Sequence, residues 1–285
     1  MQRTLLLPFA CLLCLSLKAQ SLQLPAKSPR AGYRLAIGYT TIEIDYSAPS
    51  ADGRKIWGAV VPYDSIWRAG ANAATAISFS TDVAIDGQPL PAGKYAFLLL
   101  PRKDSAWTAI FNRDTTLKGT LGYDPEQDAL RVNLKPKFAR TVHVERLAYR
   151  IERQNIEHGY VLLSWEKLRL YLPVKVETME RAVAEIQEAL AAAPPEEEWK
   201  VHLQAGEFLL WAGTTGPALQ YARQSVSHRE TASGYWLLAR VHAQRTEYGQ
   251  AVKAAQQAKA LKDAAFERQY GRPLSRKLKM WEAKR

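Results

Sequence analysis

Cysteine is nearly absent from this chain of 285 residues: both copies, Cys11 and Cys14, fall within the first fourteen positions. Beyond them no thiol exists to form a disulfide, attack a substrate or ligate a metal. Histidine is scarce too. His143, His158, His202, His228 and His242 include no pair four residues apart, and no His-Glu-x-x-His occurs, so the helical zinc-hydrolase pattern is excluded. The Gly-x-Ser-x-Gly elbow and the Walker loop are missing, and Gly119 and Gly122 belong to an ordinary loop, not a dinucleotide fingerprint. Past residue 20 no apolar run approaches the roughly 20 residues that span a bilayer. Disorder is excluded as well, because 47% of the chain is hydrophobic, and eight tryptophans, thirteen tyrosines and seven phenylalanines supply core material.

The first residues read as an address. Arg3 precedes an apolar stretch from Leu5 to Leu17, closed by Lys18-Ala19. A basic start, about a dozen apolar residues and a small residue at the end describe a secretory signal peptide. Cleavage is expected near Ala19, giving a periplasmic or secreted protein of a bacterium with no disulfides. Lipidation at Cys11 or Cys14 fits poorly, since Leu13 precedes Cys14 where a small residue is needed. Without residues 1–19 the chain keeps 37 basic against 28 acidic residues, a charge of +9. Residues 268–285 alone hold 7 basic and 1 acidic. Such a basic C-terminal tail is either an attachment to an anionic surface or a solvated last helix. No nucleic-acid partner is expected of an exported chain.

From Tyr33 to about Val176 the pattern has period two. Ile42, Ile44 and Tyr46 alternate with polar residues, as do Ile77 and Phe79, and Trp107, Ala109 and Phe111. Val83 to Ile85 runs into Asp86-Gly87, a tight-hairpin pair. Lys94 to Leu100 is apolar on both faces, the mark of a central strand. Val142 and Val144 are out of phase with Leu147, Tyr149 and Ile151, which predicts a bulge near Glu145. Val161, Leu163 and Trp165 follow, then Leu168 to Val176. This predicts an antiparallel β-sandwich over 33–177, after a linker 20–32.

One segment, residues 48–74, has no period of its own. It is rich in Gly and Pro and holds Arg54, Trp57, Tyr63, Trp67, Arg68 and Asn72, with Thr75 following. Long aperiodic connections are either functional loops or covers. Two readings follow: these seven residues bind a small ligand, or the tryptophans plug the end of the sandwich while Arg54 and Arg68 pair with Asp52 and Asp64. The strings Tyr46-Ser47-Ala48-Pro49, Gly53-Arg54, Ile56-Trp57-Gly58, Val61-Pro62-Tyr63 and Trp67 through Thr75 (WRAGANAAT) resemble a secreted bacterial family known as domain of unknown function 2911. Leu90 to Tyr95, Asp128 to Val132 and Trp165-Glu166 fit the same resemblance, which covers roughly 28–176. It implies an exported domain and no known activity. The family often carries Arg where this chain has Ala48.

The C-terminal half has helical period. Thr178 is placed to cap a helix over Met179–Ala193, and Pro194-Pro195 stops it. Small residues then recur at an interval of 33: Gly206 with Ala239, Ala218 with Ala251, Ala222 with Ala255, Ser225 with Ala258. This resembles tetratricopeptide helix–turn–helix repeats, over about 179–261, and implies a protein partner in a concave face. Generic helix hairpins are the alternative. The helical domain is expected over 178–267, ahead of the basic tail 268–285.

The fold class read from the sequence is therefore α+β: a β-sandwich followed by an α-helical hairpin repeat domain. Asp52 and Asp64 are the only acids among residues 48–74. That scarcity favours a non-catalytic binding protein over a carbohydrate or peptide hydrolase, which needs paired carboxyls. No cofactor and no metal are expected. Asp124, Glu126 and Asp128 alternate as calcium ligands would, but without the glycine and final glutamate of an EF-hand loop they read as a solvated turn.

Overall fold

The computed structural model describes residues 24–285. The expected signal peptide, residues 1–19, lies outside the described residues. Twelve strands form two antiparallel sheets over residues 30–175, and six helices follow. One sheet holds β1 (Arg30–Ile37), β2 (Thr40–Ser47), β3 (Thr75–Phe79), β6 (Gly93–Leu100), β7 (Trp107–Asn112) and β8 (Asp128–Leu134), in that spatial order. The other runs β10 (Val144–Arg153), β11 (His158–Glu166), β12 (Leu168–Lys175), β4 (Val83–Ile85) and β5 (Gln88–Leu90), with β9 (Lys137–Phe138) also on β12. The inward residues of both sheets are the alternating ones. Ile42, Ile77, Phe97, Phe111, Leu163 and Leu170 join a single buried cluster between the sheets.

Local sequence explains the joints. Gly38 (φ 55°) opens the two-residue β1–β2 turn, and Asp86 and Gly87 (φ 49° and 80°) supply the two left-handed residues of the β4–β5 hairpin. β1 begins at Arg30, inside the stretch expected to be linker. Its residues are mostly exposed and carry no clear alternation, so only pairing of Arg30 through Ile37 against β2 defines it. β10 pairs Val144 with Glu166 and then Ala148 with Ser164, so the ladder slips beside Glu145 as the phase change predicts. β6 is central, and its outer face is covered too. Ala96 and Leu98 pack with Ile110, Leu117 and Ala74 in a second small core beneath the loops.

The helices are α1 (Thr178–Ala192), α2 (Glu198–Trp211), α3 (Thr215–His228), α4 (Ala232–Gln244), α5 (Tyr248–Leu261) and α6 (Ala264–Glu282). Every small residue of the 33-residue interval is buried. A Cβ on Gly206 would lie 2.7 Å from Leu237 Cδ2 and 3.3 Å from the Ala222 amide nitrogen, so α2 reaches α3 and α4 only as glycine. The expected boundary at 267 is corrected: α6 is one helix across it. Phe266, Leu274, Leu278 and Trp281 form its buried stripe while Arg268, Arg272, Arg276 and Lys279 stay on the wet side, so one amphipathic helix replaces a separate tail.

Two cores result, and they stay separate: the sandwich cluster ends at Val176, and the helical cluster gathers Leu209, Trp236, Leu237, Val252 and Trp281. The junction is polar and short. Thr178 does not cap α1; its hydroxyl donates to the Ile156 carbonyl at 2.7 Å, and the Met179 amide donates to Glu157 Oε1 at 2.9 Å. The Thr178 side chain is lodged against Gly38, where any Cβ would collide with its hydroxyl. Thr178→Val leaves the Ile156 carbonyl buried without its donor. It is expected to lower stability by about 1–3 kcal/mol in urea unfolding.

Candidate functional site

The aperiodic loop, 48–74, is stitched to both sheets by its backbone. The Ala51 amide donates to the Glu145 carbonyl (2.7 Å) and the Leu147 amide to the Pro49 carbonyl (2.9 Å), filling the slipped part of β10. Further on, Trp67 and Leu99 exchange amide–carbonyl bonds of 2.7 and 2.8 Å, so the loop takes over the place beside β6 that β3 leaves beyond Thr75. A segment with this many backbone partners is part of the sheet architecture.

Its tryptophans point inward. Trp57 lies 5.0 Å from Trp107, 5.7 Å from Trp67 and 5.8 Å from Trp165 between ring centroids, and Trp67 stacks on Trp165 at 5.9 Å. Trp67 Nε1 donates to the Gly70 carbonyl and Trp107 Nε1 to the Arg102 carbonyl. Trp57 Nε1 and Trp165 Nε1 are buried and have no acceptor among the described residues. Four indoles thus fill the end of the sandwich, with edge and face contacts worth about 0.5–1.5 kcal/mol per pair beyond the area they bury.

The Trp67–Thr75 string folds around one carbonyl. Ala69 (φ 52°) and Asn72 (φ 59°) are left-handed, a conformation costly for side-chain-bearing residues. The Ala69 carbonyl accepts from Thr75 Oγ1 at 3.0 Å and from the Tyr149 hydroxyl at 2.7 Å, which hold the bend. Burial raises the Tyr149 phenol well above its ordinary pKa, so it remains a donor. A Cβ on Gly70 would sit 2.8 Å from Thr75 Oγ1 and 3.2 Å from the Ser47 carbonyl oxygen. The string's glycine, threonine and tryptophan each have a packing reason.

The seven candidates therefore divide. Trp57, Trp67 and Thr75 are buried, Tyr63 and Arg68 are half-buried, and Arg54 and Asn72 are exposed. Arg54 donates to the Ser50 and Ala51 carbonyls, Arg68 to the Asn72 carbonyl, and Asn72 to the Ser28 carbonyl. Of the expected acid partners, Asp52 lies 3.6 Å from Arg54, but Asp64 pairs with Arg102 instead of Arg68. Glu145, bound by the Asp52 amide and by His143, has its carboxyl lowered, the wrong direction for a general acid. At the 124–128 turn, Asp124 caps its own backbone through the Glu126 amide, while Asp128 is held by Asn112, Tyr123 and Arg131. These acids are turned to different partners.

A feature the sequence reading missed lies between α2, α4 and α6. A groove of about 300 Å³ is lined by Leu210, Arg240, Tyr248, Lys277, Met280, Trp281 and Lys284, together with Ala243 and Gln244. It contains three cationic side chains and no acid. Lys277 Nζ lies 5.9 Å from the Trp281 ring centroid and Lys284 Nζ 5.5 Å from that of Tyr248. Arg240 is aimed by Glu207 at 2.8 Å, and its buried Nε has no acceptor among the described residues. Tyr248 and Lys284 continue into an adjoining cleft with Lys253, Arg285 and one acid, Glu247. The basic residues at 276–285 were the signal; their convergence with Arg240 needed the tertiary fold.

Trp67→Ala opens a cavity within the indole cluster and is expected to destabilise the sandwich by about 3–5 kcal/mol in denaturant unfolding. Asn72→Ala, on the exposed rim, is expected to stay within about 0.5 kcal/mol of the parent. Because the folded-state carboxyl of Glu145 is lowered, its contribution is present above the ordinary carboxylate range. It is lost as pH falls and the group protonates. Glu145→Gln should therefore flatten the acid limb of the stability–pH curve.

No curated protein and no solved structure matches the chain. Residues 28–174 match the family described as protein of unknown function (DUF2911), which spans the whole two-sheet body with its indole plug. With just over half its length in that match, the chain belongs to the DUF2911 family.

Proposed function

We propose that this is an exported, non-catalytic binding protein whose helical half carries the interaction. In this reading the sandwich is a rigid platform. The hairpins α2–α3 and α4–α5, closed by α6, act as tetratricopeptide-like repeats. The observation that carries it is the groove: Arg240, Lys277 and Lys284 beside Tyr248 and Trp281, with no carboxylate in its lining. Cations over aromatic faces at a concave helical surface suit an extended acidic segment of a partner protein, with an apolar side chain against Leu210 and Met280. No helix of the described residues is long and apolar enough to cross a membrane. The apolar leader expected at residues 1–19 supports export to the periplasm or beyond.

The loop 54–75 enters this reading as support. Its arginines are spent on backbone carbonyls and its tryptophans on the core. A hydrolase is less well supported, since Asp52 and Asp64 each face an arginine and the neighbouring Glu145 is lowered, where general acid work needs a raised carboxyl.

The test is fluorescence anisotropy with a labelled peptide that alternates Asp or Glu with Leu. The parent should bind, and binding should weaken as salt rises. Lys277→Glu with Lys284→Glu should cut affinity by about tenfold or more, two rim reversals changing like-charge juxtaposition, while the melting temperature holds. Equal binding by the doubly reversed variant would contradict the reading.

A further inference from the structure

The helical half holds a second cluster with a different chemistry. Glu198 and His202 are one turn apart on α2, and His228 ends α3, the other arm of the same hairpin. Their carboxylate oxygen and imidazole nitrogens all lie within 4.8 Å of one another. The two imidazoles are stacked with centroids 5.1 Å apart and planes at 29°. His228 Nδ1 stands 3.5 Å from Glu198 Oε2, too far for a good hydrogen bond. His202 Nδ1 is buried and has no partner among the described residues. An unpartnered ring nitrogen, a second imidazole across from it and a carboxylate beside both form an arrangement that costs stability when nothing joins them.

The nearby cations are engaged elsewhere. Arg229 lies over the Trp199 ring at 5.2 Å, and Lys200 pairs with Glu197. The Ser225 hydroxyl donates to the Trp199 carbonyl at 2.9 Å, which fixes the end of α3 beside the start of α2. The backbone therefore holds the three side chains side by side at the hairpin's open end.

We propose that Glu198, His202 and His228 form a binding site for a divalent transition ion of the zinc class. Two nitrogens and one carboxylate oxygen match the borderline preference of Zn²⁺ and leave a fourth position for water. Zinc bonds of about 2.0–2.2 Å bring tetrahedral donor atoms about 3.4 Å apart. Binding therefore requires the side chains to draw in from a spacing of up to 4.8 Å. The ion clasps the open end of the α2–α3 hairpin, a cross-link in a chain that has no disulfide available past residue 14. Calcium is disfavoured, because it takes six to eight oxygen ligands. This site is separate from the groove, so either can stand without the other.

The experiment uses the full chain purified without a histidine tag and stripped with a chelator. Zn²⁺ is titrated by calorimetry, and Co²⁺ is added as a spectroscopic probe. One equivalent of Zn²⁺ should bind and raise the melting temperature, Co²⁺ should show the visible bands of four-coordinate nitrogen–oxygen ligation, and Ca²⁺ should do neither. His202→Ala and Glu198→Gln should each lose the one-equivalent binding and the thermal shift. His228→Gln, at an exposed position, should lose both with its metal-free melting temperature unchanged. Absence of Zn²⁺ binding to the parent, or binding retained by His228→Gln together with His202→Ala, would overturn the proposal.

Discussion

Four indoles packed edge and face against one another do the work that cross-links do in many exported domains. Trp107 and Trp165 come from strands of opposite sheets, and Trp57 and Trp67 come from the loop between β2 and β3. The loop must lie across the end of the sandwich for these rings to meet. Once there, its backbone fills the gaps that the slipped β10 and the departing β3 leave. The bend at Ala69, clamped by Thr75 and Tyr149, and the glycine at 70 follow from the same closure. A segment that looks like a binding loop by composition is thereby committed to the core.

The helical stack has its own core and meets the sandwich through polar bonds at Ile156, Glu157 and Thr178, the Tyr39–Glu185 hydrogen bond, and cations over rings at Arg181–Tyr39 and Arg153–Trp211. Such a hinge-sized junction fixes orientation without merging the two cores. The proposed groove of Arg240, Lys277 and Lys284 lies on helices α4 and α6 or just past the end of α6, and the histidine cluster sits at the start of α2 and the end of α3. In the proposed reading the platform and the binding surface are different parts of one chain, joined by Val176 and the first turn of α1.

Much of this was readable from the residues in order. Period-two runs such as Ile42-Ile44-Tyr46 marked strands, Asp86-Gly87 marked a hairpin, and the phase change before Leu147 marked the slip in β10. Gly206 and its counterparts 33 residues on marked paired helices, because close helix contact leaves room only for small side chains. Residues 54–75 were legible as a special segment with two readings, a ligand loop or a tryptophan plug; Trp57 and Trp67 are buried as in the second, but an aperiodic loop has no period by which the sequence alone could choose. Thr178 looked like a helix cap because its partner, the Ile156 carbonyl, is 22 residues away in sequence. The Glu198–His202 pair has helical spacing, yet its third member arrives from a different helix, and no linear motif records that. The basic residues after 267 fit the solvated-last-helix reading, but a boundary drawn by charge falls inside α6, whose Phe266–Leu274–Leu278–Trp281 stripe runs through it.

If binding belongs to the helical groove and structure to the indole-closed sandwich, amide hydrogen exchange on the full chain should separate the two. A saturating acidic peptide should add protection in α4 and α6 around Arg240, Lys277 and Trp281 and leave exchange across residues 54–75 unchanged. Protection concentrated in 54–75, with the helices unaffected, would contradict that division.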